Sequence, residues 1–184
     1  MQQHVIGDTL FSSQQISAGV TLVAQQLNQR YRGESVVLIS VVPGGILFTA
    51  DLVRQLEFDL AMDYIACPHT PGDSNNQSAI VYQQTINIAN RPVIVVDDAL
   101  ESGSTMLRLM THLTSHYSPR SLAIATLLVK PSRVNIPYPQ YYAYELANDD
   151  LLVGYGLPWQ QRYRNLPFIA RLLQSEVEIN KKPQ

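Results

Sequence analysis

The sequence predicts an α/β domain, with a parallel sheet flanked by helices and a small hood formed by the chain's terminal segments. Three observations carry the sheet and its helices. The strand candidates are short, unbroken apolar runs of the kind buried on both faces. Glycine turns follow two of them and lead into amphipathic segments. The order strand, turn, helix, strand recurs, which favours right-handed crossovers.

Taken in order, "SSQQISAGVTLVAQQLNQRYRG" places Ile16, Val20, Val23 and Leu27 at helical spacing. Ser12 with Gln15 forms a capping box, and Gly33 stops the helix. "SVVLIS" is a buried strand that meets the turn "VVPGG", and a helix follows with an apolar stripe of Leu47, Ala50, Leu52, Val53 and Leu56. "FDLAMDYIAC" is a second strand. "PHTPGDSNNQSA" is polar and rich in breakers and reads as a mobile loop. "IVYQQTIN" is expected to pair as an antiparallel excursion, and "PVIVV" is the next core strand. Met106, Leu109, Met110 and Leu113 mark a further amphipathic helix, and "SLAIATLLVK" a further strand. The tail carries short strands and aromatics without a long helix, as a lid would, and "NKKPQ" is expected to fray. One domain spans 1–184, with a core at about 34–146 and a hood from the N-terminal segment and about 147–175.

Composition narrows the function. With 184 residues and 46% hydrophobic content, one domain can bury roughly 70% of its unfolded surface. The net charge is −2 and the basic residues are scattered, which argues against nucleic acid or an anionic membrane as partner. A single cysteine, Cys67, excludes an internal disulfide and a cysteine metal cluster. The start lacks a signal-peptide pattern and no apolar run reaches the ~20 residues of a membrane span, so a cytoplasmic location is expected.

The chemistry concentrates in "VIVVDDALESGSTM". In an open parallel sheet, ligands bind beyond the carboxyl ends of the strands, where helix N-termini point. Amides of Gly103, Ser104 and Thr105, with the hydroxyls of Ser102, Ser104 and Thr105, can hold a phosphate monoester there. Two acids beside a phosphate would repel it unless they engage a divalent cation or the diol of a sugar ring. For Asp97 and Asp98 alone, solvated acids in an ordinary strand-to-helix turn are an equal alternative; the whole string favours a phosphorylated sugar. No lysine lies in the turn, so a nucleotide P-loop fits poorly.

This pattern resembles the phosphoribosyl-diphosphate (PRPP) motif of type I phosphoribosyltransferases, the hypoxanthine-guanine branch in particular. Four other segments agree in order: "GGILFTADLVRQL", "LLVKPS", "LLVGYG" and "RYRNLPFI". The resemblance covers about residues 13–173. It implies transfer of a ribosyl 5-phosphate from PRPP to a 6-oxopurine (hypoxanthine and/or guanine), giving the nucleotide product IMP or GMP and releasing pyrophosphate, with magnesium (Mg2+) as cofactor. It further implies a homodimer or homotetramer.

By residue, the resemblance assigns Asp97, Asp98, Ala99, Ser102, Gly103, Ser104 and Thr105 to the ribose phosphate, with Asp97 and Asp98 also toward the metal. Pro43, Gly44, Gly45 and Arg164 fall to pyrophosphate. Lys130, Leu151 and Leu152 fall to the purine, and Glu101 to the base that takes its proton.

Several positions depart from the family pattern. Glu101 stands where the family has aspartate, Leu151 where it has a stacking aromatic, and Pro158 where an aspartate engages a second metal and the purine's exocyclic side. Trp159 or Tyr155 can compensate for Leu151, or else pack in the lid; Asp149 and Asp150 can substitute for Pro158, or else form a solvated pair. "CPHTPG" replaces a Ser-Tyr pair, with His69 able to reach in or simply exposed. Pro43 replaces a lysine preceded by a cis bond, so Val42–Pro43 is expected to be cis, with Gly44 and Gly45 supplying amides. These departures leave a second function open: a PRPP- or nucleotide-binding regulator, or a catalytically impaired paralogue, on the same fold.

Overall fold

The computed structural model describes residues 6–67 and 78–173. A five-stranded sheet has the order β3-β2-β4-β5-β6, from β2 (Ser35–Val42), β3 (Asp59–Ala66), β4 (Pro92–Leu100), β5 (Ser121–Val129) and β6 (Gln140–Glu145). Every pairing in it is parallel. The helices are α1 (Ser13–Tyr31), α2 (Ile46–Val53) and α3 (Ser104–Tyr117). A separate antiparallel sheet, β1-β8-β7, joins β1 (Ile6–Phe11) to β8 (Ile169–Leu172) and β7 (Leu152–Val153).

The central strands form because β-branched side chains pack well on a pleat covered on both faces. In β2, Val36 through Val41 are all buried, as are Pro92 through Val96 in β4 and Leu122 through Val129 in β5. One face packs against α1 through Ile16, Val20, Val23 and Leu27, and against α2 through Phe48 and Leu52. The opposite face packs against α3 through Met106, Leu109, Met110 and Leu113. Each such apolar side chain contributes about 1.5–3 kcal/mol of transfer free energy. The capping box at Ser12 is formed, with Gln15 N–H donating to Ser12 Oγ at 3.3 Å and Ser12 N–H to Gln15 Oε1 at 2.9 Å. Gly33, with φ 73°, follows the helix end.

Three expectations change. The buried side of α2 is Phe48, Thr49 and Leu52; of the expected stripe Leu52 is buried, Val53 and Leu56 pack partly buried on the same core with Leu56 beyond the helix end, and Leu47 is exposed. Thr49 is accommodated because its hydroxyl bonds Ser40 Oγ at 2.9 Å. The segment "IVYQQTIN" forms a single antiparallel bridge, Ala66 with Val81, and no strand. Beyond that bridge the buried Asp63 carboxylate takes two of the segment's backbone donors: Thr85 N–H at 3.0 Å and Ile86 N–H at 3.3 Å both donate to Oδ2. Finally, β4 runs on through Asp97, Asp98, Ala99 and Leu100, so the acids belong to the strand and not to the turn. The expected mobile loop, with His69, and the frayed "NKKPQ" tail lie outside the described residues, apart from Ser78 and Ala79.

The topology fixes where a ligand can sit. The chain leaves β2 for β3 by way of α2 on one face, and leaves β4 for β5 by way of α3 on the other. Between β2 and β4 the turns therefore diverge, opening a crevice at the carboxyl edge of the sheet.

Candidate active site

That crevice encloses about 790 Å³, counting its open mouth, a size suited to a small-molecule ligand. The β2–α2 turn contributes Val41, Val42, Pro43 and Gly44; the end of β4 and the start of α3 contribute Asp97 through Gly103, Thr105 and Met106. The hood supplies Leu152, Leu157, Pro158 and Arg164.

Asp97 and Asp98 are consecutive on β4 and bend back onto the chain. Asp97 Oδ1 accepts from the Asp98 amide at 2.9 Å, and Asp98 Oδ1 from the Ala99 amide at 2.8 Å. Burial, followed by the neighbouring Asp98 charge, holds the Asp97 carboxyl well above the usual carboxylate range. Burial pushes Asp98 up to about 6, against the bonds it accepts and the nearby Arg164 cation. Arg164 is itself lowered by burial, though both carboxylates act to raise it. Two crowded, desolvated acids with one guanidinium beside them favour a cation or a pair of hydroxyl donors.

Ser102 and Gly103 bring the chain into α3. Gly103 is the N-cap, at φ 79°, with no side-chain cap bond. The left-handed φ favours glycine, and a Cβ there would also crowd the side chains of Ile136 and Val134 at 3.1 and 3.2 Å. The positive end of the α3 dipole therefore faces the crevice, suited to an anion. Ser102 Oγ and Ser104 Oγ lie 2.7 Å apart.

Of the residues anticipated for this site, Pro43, Gly44, Asp97, Asp98, Ala99, Glu101, Ser102, Gly103, Thr105, Leu152 and Arg164 line the crevice. Val42–Pro43 is cis, as expected. Gly45 is set back: its N–H donates to the Val41 carbonyl at 2.9 Å instead of facing the crevice, and it packs against Val96 and Asp97. Ser104 is turned toward Ser102. Lys130 is buried behind the wall, its Nζ 3.1 Å from Glu101 Oε1. Leu151 lies outside the crevice wall.

The compensating residues are engaged elsewhere. Tyr155 is buried and its hydroxyl donates to Asp51 Oδ2 at 2.6 Å. Asp149 accepts from Ser132 Oγ at 2.6 Å, and Asp150 pairs with Arg171 Nε at 2.7 Å, so neither replaces a carboxylate at Pro158. Trp159 does not line the crevice.

Cys67, Leu157 and Gly156 were not anticipated. Cys67 and Leu157 line the wall. Gly156 lies directly on the acid pair: a Cβ there would overlap the Gly44 carbonyl oxygen and come within 3.0 Å of Asp98 Oδ2. The paired glycines of "VGYG" were the available signal.

The Escherichia coli (strain K12) hypoxanthine phosphoribosyltransferase is 31% identical over 170 residues, 90% of this chain and 95% of the relative. The Staphylococcus aureus (strain Mu50) hypoxanthine-guanine phosphoribosyltransferase is 32% identical over 149 residues, 80% and 83% of the two chains. Among solved structures, a Bacillus anthracis hypoxanthine-guanine phosphoribosyltransferase superposes with a TM-score of 0.78 at 34% identity, covering 91% of this chain and 99% of that one. A Trypanosoma cruzi hypoxanthine phosphoribosyltransferase variant, complexed with the product IMP, superposes with a TM-score of 0.80 at 25% identity over the full length of both chains. The phosphoribosyl transferase domain matches residues 7–159. With the acid pair on β4 and the start of α3 set in the crevice of a parallel sheet, the chain belongs to the phosphoribosyl transferase domain family.

Proposed function

We propose that this protein is a purine salvage transferase that moves 5-phosphoribosyl from PRPP to a 6-oxopurine, hypoxanthine and/or guanine, yielding IMP or GMP and pyrophosphate. The observation that carries the reading is the pairing of two crowded carboxylates with the glycine-opened start of α3 in one crevice. The 5-phosphate lies on the start of α3, at Ser102, Gly103, Ser104 and Thr105. The ribose hydroxyls donate to Asp97 and Asp98, which relieves their mutual repulsion.

The bond that breaks is the one from the anomeric carbon to the diphosphate oxygen, and the bond that forms joins that carbon to a purine ring nitrogen. The carbon becomes oxocarbenium-like between them, so the rate depends on holding the departing negative charge. Arg164 supports the departing pyrophosphate with a planar guanidinium, alongside the Pro43–Gly44 turn. Glu101 takes the purine proton, and Lys130, 3.1 Å from it, addresses the 6-oxo group once the base inserts. Leu152, Leu157 and Pro158 form an apolar wall toward the base.

The donor set suits magnesium of the kind that substrate phosphates carry. Among the described residues no group of three or more candidate ligands comes together, and the adjacent Asp97 and Asp98 would supply one or two carboxylates. Magnesium would neutralise diphosphate charge there. We further infer one domain with the core and hood boundaries given above, a homodimeric or homotetrameric assembly, and a cytoplasmic location; among the described residues no helix is long and apolar enough to cross a membrane.

One observation favours a second reading. The Lys130–Glu101 ion pair engages the two charged groups that would address the base, and Pro158 brings no carboxylate. A nucleotide-binding regulator or an impaired paralogue would look the same. Incubation with PRPP, magnesium and hypoxanthine, guanine, xanthine or adenine separates the two. Release of pyrophosphate with IMP or GMP supports the transferase; tight PRPP binding without turnover on any base supports the second reading.

A further inference from the structure

The hood meets the core beside the acid pair, at Tyr155 and Gly156. Tyr155 is buried at a positive φ of 48°, and its hydroxyl donates to Asp51 Oδ2 at 2.6 Å. Asp51 lies on α2, the helix that opens directly after the Pro43–Gly45 turn. Burial first, and then the bond to Asp51, push the Tyr155 phenol upward, so it remains a hydrogen-bond donor under working conditions. The other carboxylate oxygen of Asp51 has Arg54 Nη1 at 4.0 Å, on an exposed side, which leaves Oδ2 to the tyrosine.

The backbone around Tyr155 transmits this contact to Arg164. The Tyr155 N–H donates to the Leu166 carbonyl at 3.0 Å, and the Gly156 N–H to the Arg164 carbonyl at 3.0 Å. In return, Arg164 Nη1 donates to the Gly156 carbonyl at 2.5 Å. The guanidinium thus rides on Gly156. Gly156 in turn lies against the Gly44 carbonyl and the Asp98 carboxylate, where no side chain fits.

Granted the transferase reading above, we propose that Asp51 and Tyr155 are a positioning pair for the pyrophosphate half of the reaction. Their hydrogen bond latches the hood loop to α2, so that Arg164 is held in register with the Gly44 turn and Asp98. Neither side chain touches substrate; both act through Gly156 and Arg164. Tyr155 belongs to the same buried apolar cluster as Leu152, Leu157 and Ile169, and a phenylalanine would keep the ring in that cluster while losing the latch.

The test uses the full chain, with pyrophosphate and magnesium titrated by calorimetry and steady-state kinetics on PRPP and hypoxanthine. Tyr155→Phe and Asp51→Ala are each expected to weaken pyrophosphate binding and raise KM for PRPP by about tenfold, the loss of one hydrogen bond to a charged group. KM for hypoxanthine should change by less than about twofold on the same scale. Asp51→Asn keeps an acceptor oxygen and should stay within about threefold of wild type. The double variant should bind pyrophosphate no more weakly than either single variant. Unchanged pyrophosphate affinity in Tyr155→Phe, equal losses for both substrates, or Asp51→Asn as impaired as Asp51→Ala would each overturn the proposal. A lowered Tm with unchanged pyrophosphate affinity would also overturn it, reducing the pair to a structural contact. Failure of the wild-type chain to bind pyrophosphate or PRPP would instead refute the transferase reading.

Discussion

Replacing Gly156 with alanine adds one methyl group where the hood closes on the site, and its cost can be worked from two separate strains. The backbone there has φ 101°, outside the range a side chain adopts easily, which costs about 1–2 kcal/mol. The new Cβ would overlap the Gly44 carbonyl oxygen and crowd Asp98 Oδ2 at 3.0 Å. The first of these neighbours is backbone and cannot swing aside, so overpacking adds about 1–3 kcal/mol. The sum, about 2–5 kcal/mol, corresponds to roughly 4–20 °C in Tm for a chain of this size if the strain is taken globally. The hood loop can instead lift. Its bonds to Arg164 would then carry the guanidinium away, and pyrophosphate affinity would fall with little change in Tm. Differential scanning calorimetry beside a pyrophosphate titration reads both routes. A Gly156→Ala protein with wild-type Tm and wild-type pyrophosphate affinity would refute the close packing described for this loop.

Glu101→Gln removes a proton acceptor while keeping shape, and should lower kcat by about a hundredfold with PRPP affinity changed less than about twofold; an unchanged kcat in stopped assays would take the role of base from Glu101. Arg164→Ala should weaken pyrophosphate binding by about ten- to a hundredfold, the scale of a charge-assisted bond, and equal affinities by calorimetry would count against its assignment. Asp63→Asn should cost about 2–3 kcal/mol at neutral pH, because donors from Tyr82, Thr85 and Ile86 converge on a carboxylate that the amide replaces only in part. The pH dependence has a definite sign. Burial raises the Asp63 pKa, but the donors from Thr85, Tyr64 and Tyr82 outweigh it and leave the group below the ordinary value. Its contribution is therefore present above the unfolded pKa near about 4 and is lost as pH falls through the folded one. The gap between wild type and Asp63→Asn in urea titrations should shrink on acidification below about pH 4; a gap that widens would contradict this.

The parts of the fold written in local pattern were legible in the sequence. The spacing of Met106, Leu109, Met110 and Leu113 gives α3 its buried stripe, and "SVVLIS" and "SLAIATLLV" give the central strands. The second helix was harder to orient, because "ILFTADLV" is apolar nearly all round and lacks contrast between its faces. Its buried Thr49 depends on Ser40 of another element. That the chain's ends share a hood was anticipated, but the pairing inside it was not: β1 finds β8 across more than 150 residues, with Thr9 opposite Ala170. The same limit applied to "IVYQQTIN", where the amides of Thr85 and Ile86 are taken by one acid on β3 while that of Val81 makes the bridge to Ala66.

In the site, the string from Asp97 to Thr105 was legible as one wall of the crevice because acid pair, glycine and hydroxyls are local. What the string could not disclose is who else is committed. The Gly45 amide belongs to Val41, Asp150 to Arg171, and Tyr155 to Asp51. Those commitments are three-dimensional, and they separate residues that face the crevice from residues that hold its walls.

A complex with IMP and magnesium, solved by crystallography or mapped by amide chemical shifts, examines the core of the account most directly. The 5′-phosphate should engage the amides of Gly103, Ser104 and Thr105 at the start of α3, with the ribose hydroxyls on Asp97 and Asp98 and the purine ring against Leu152 near Lys130. A nucleotide bound away from the β2–β4 crevice, or no perturbation at these residues at saturating IMP, would contradict it.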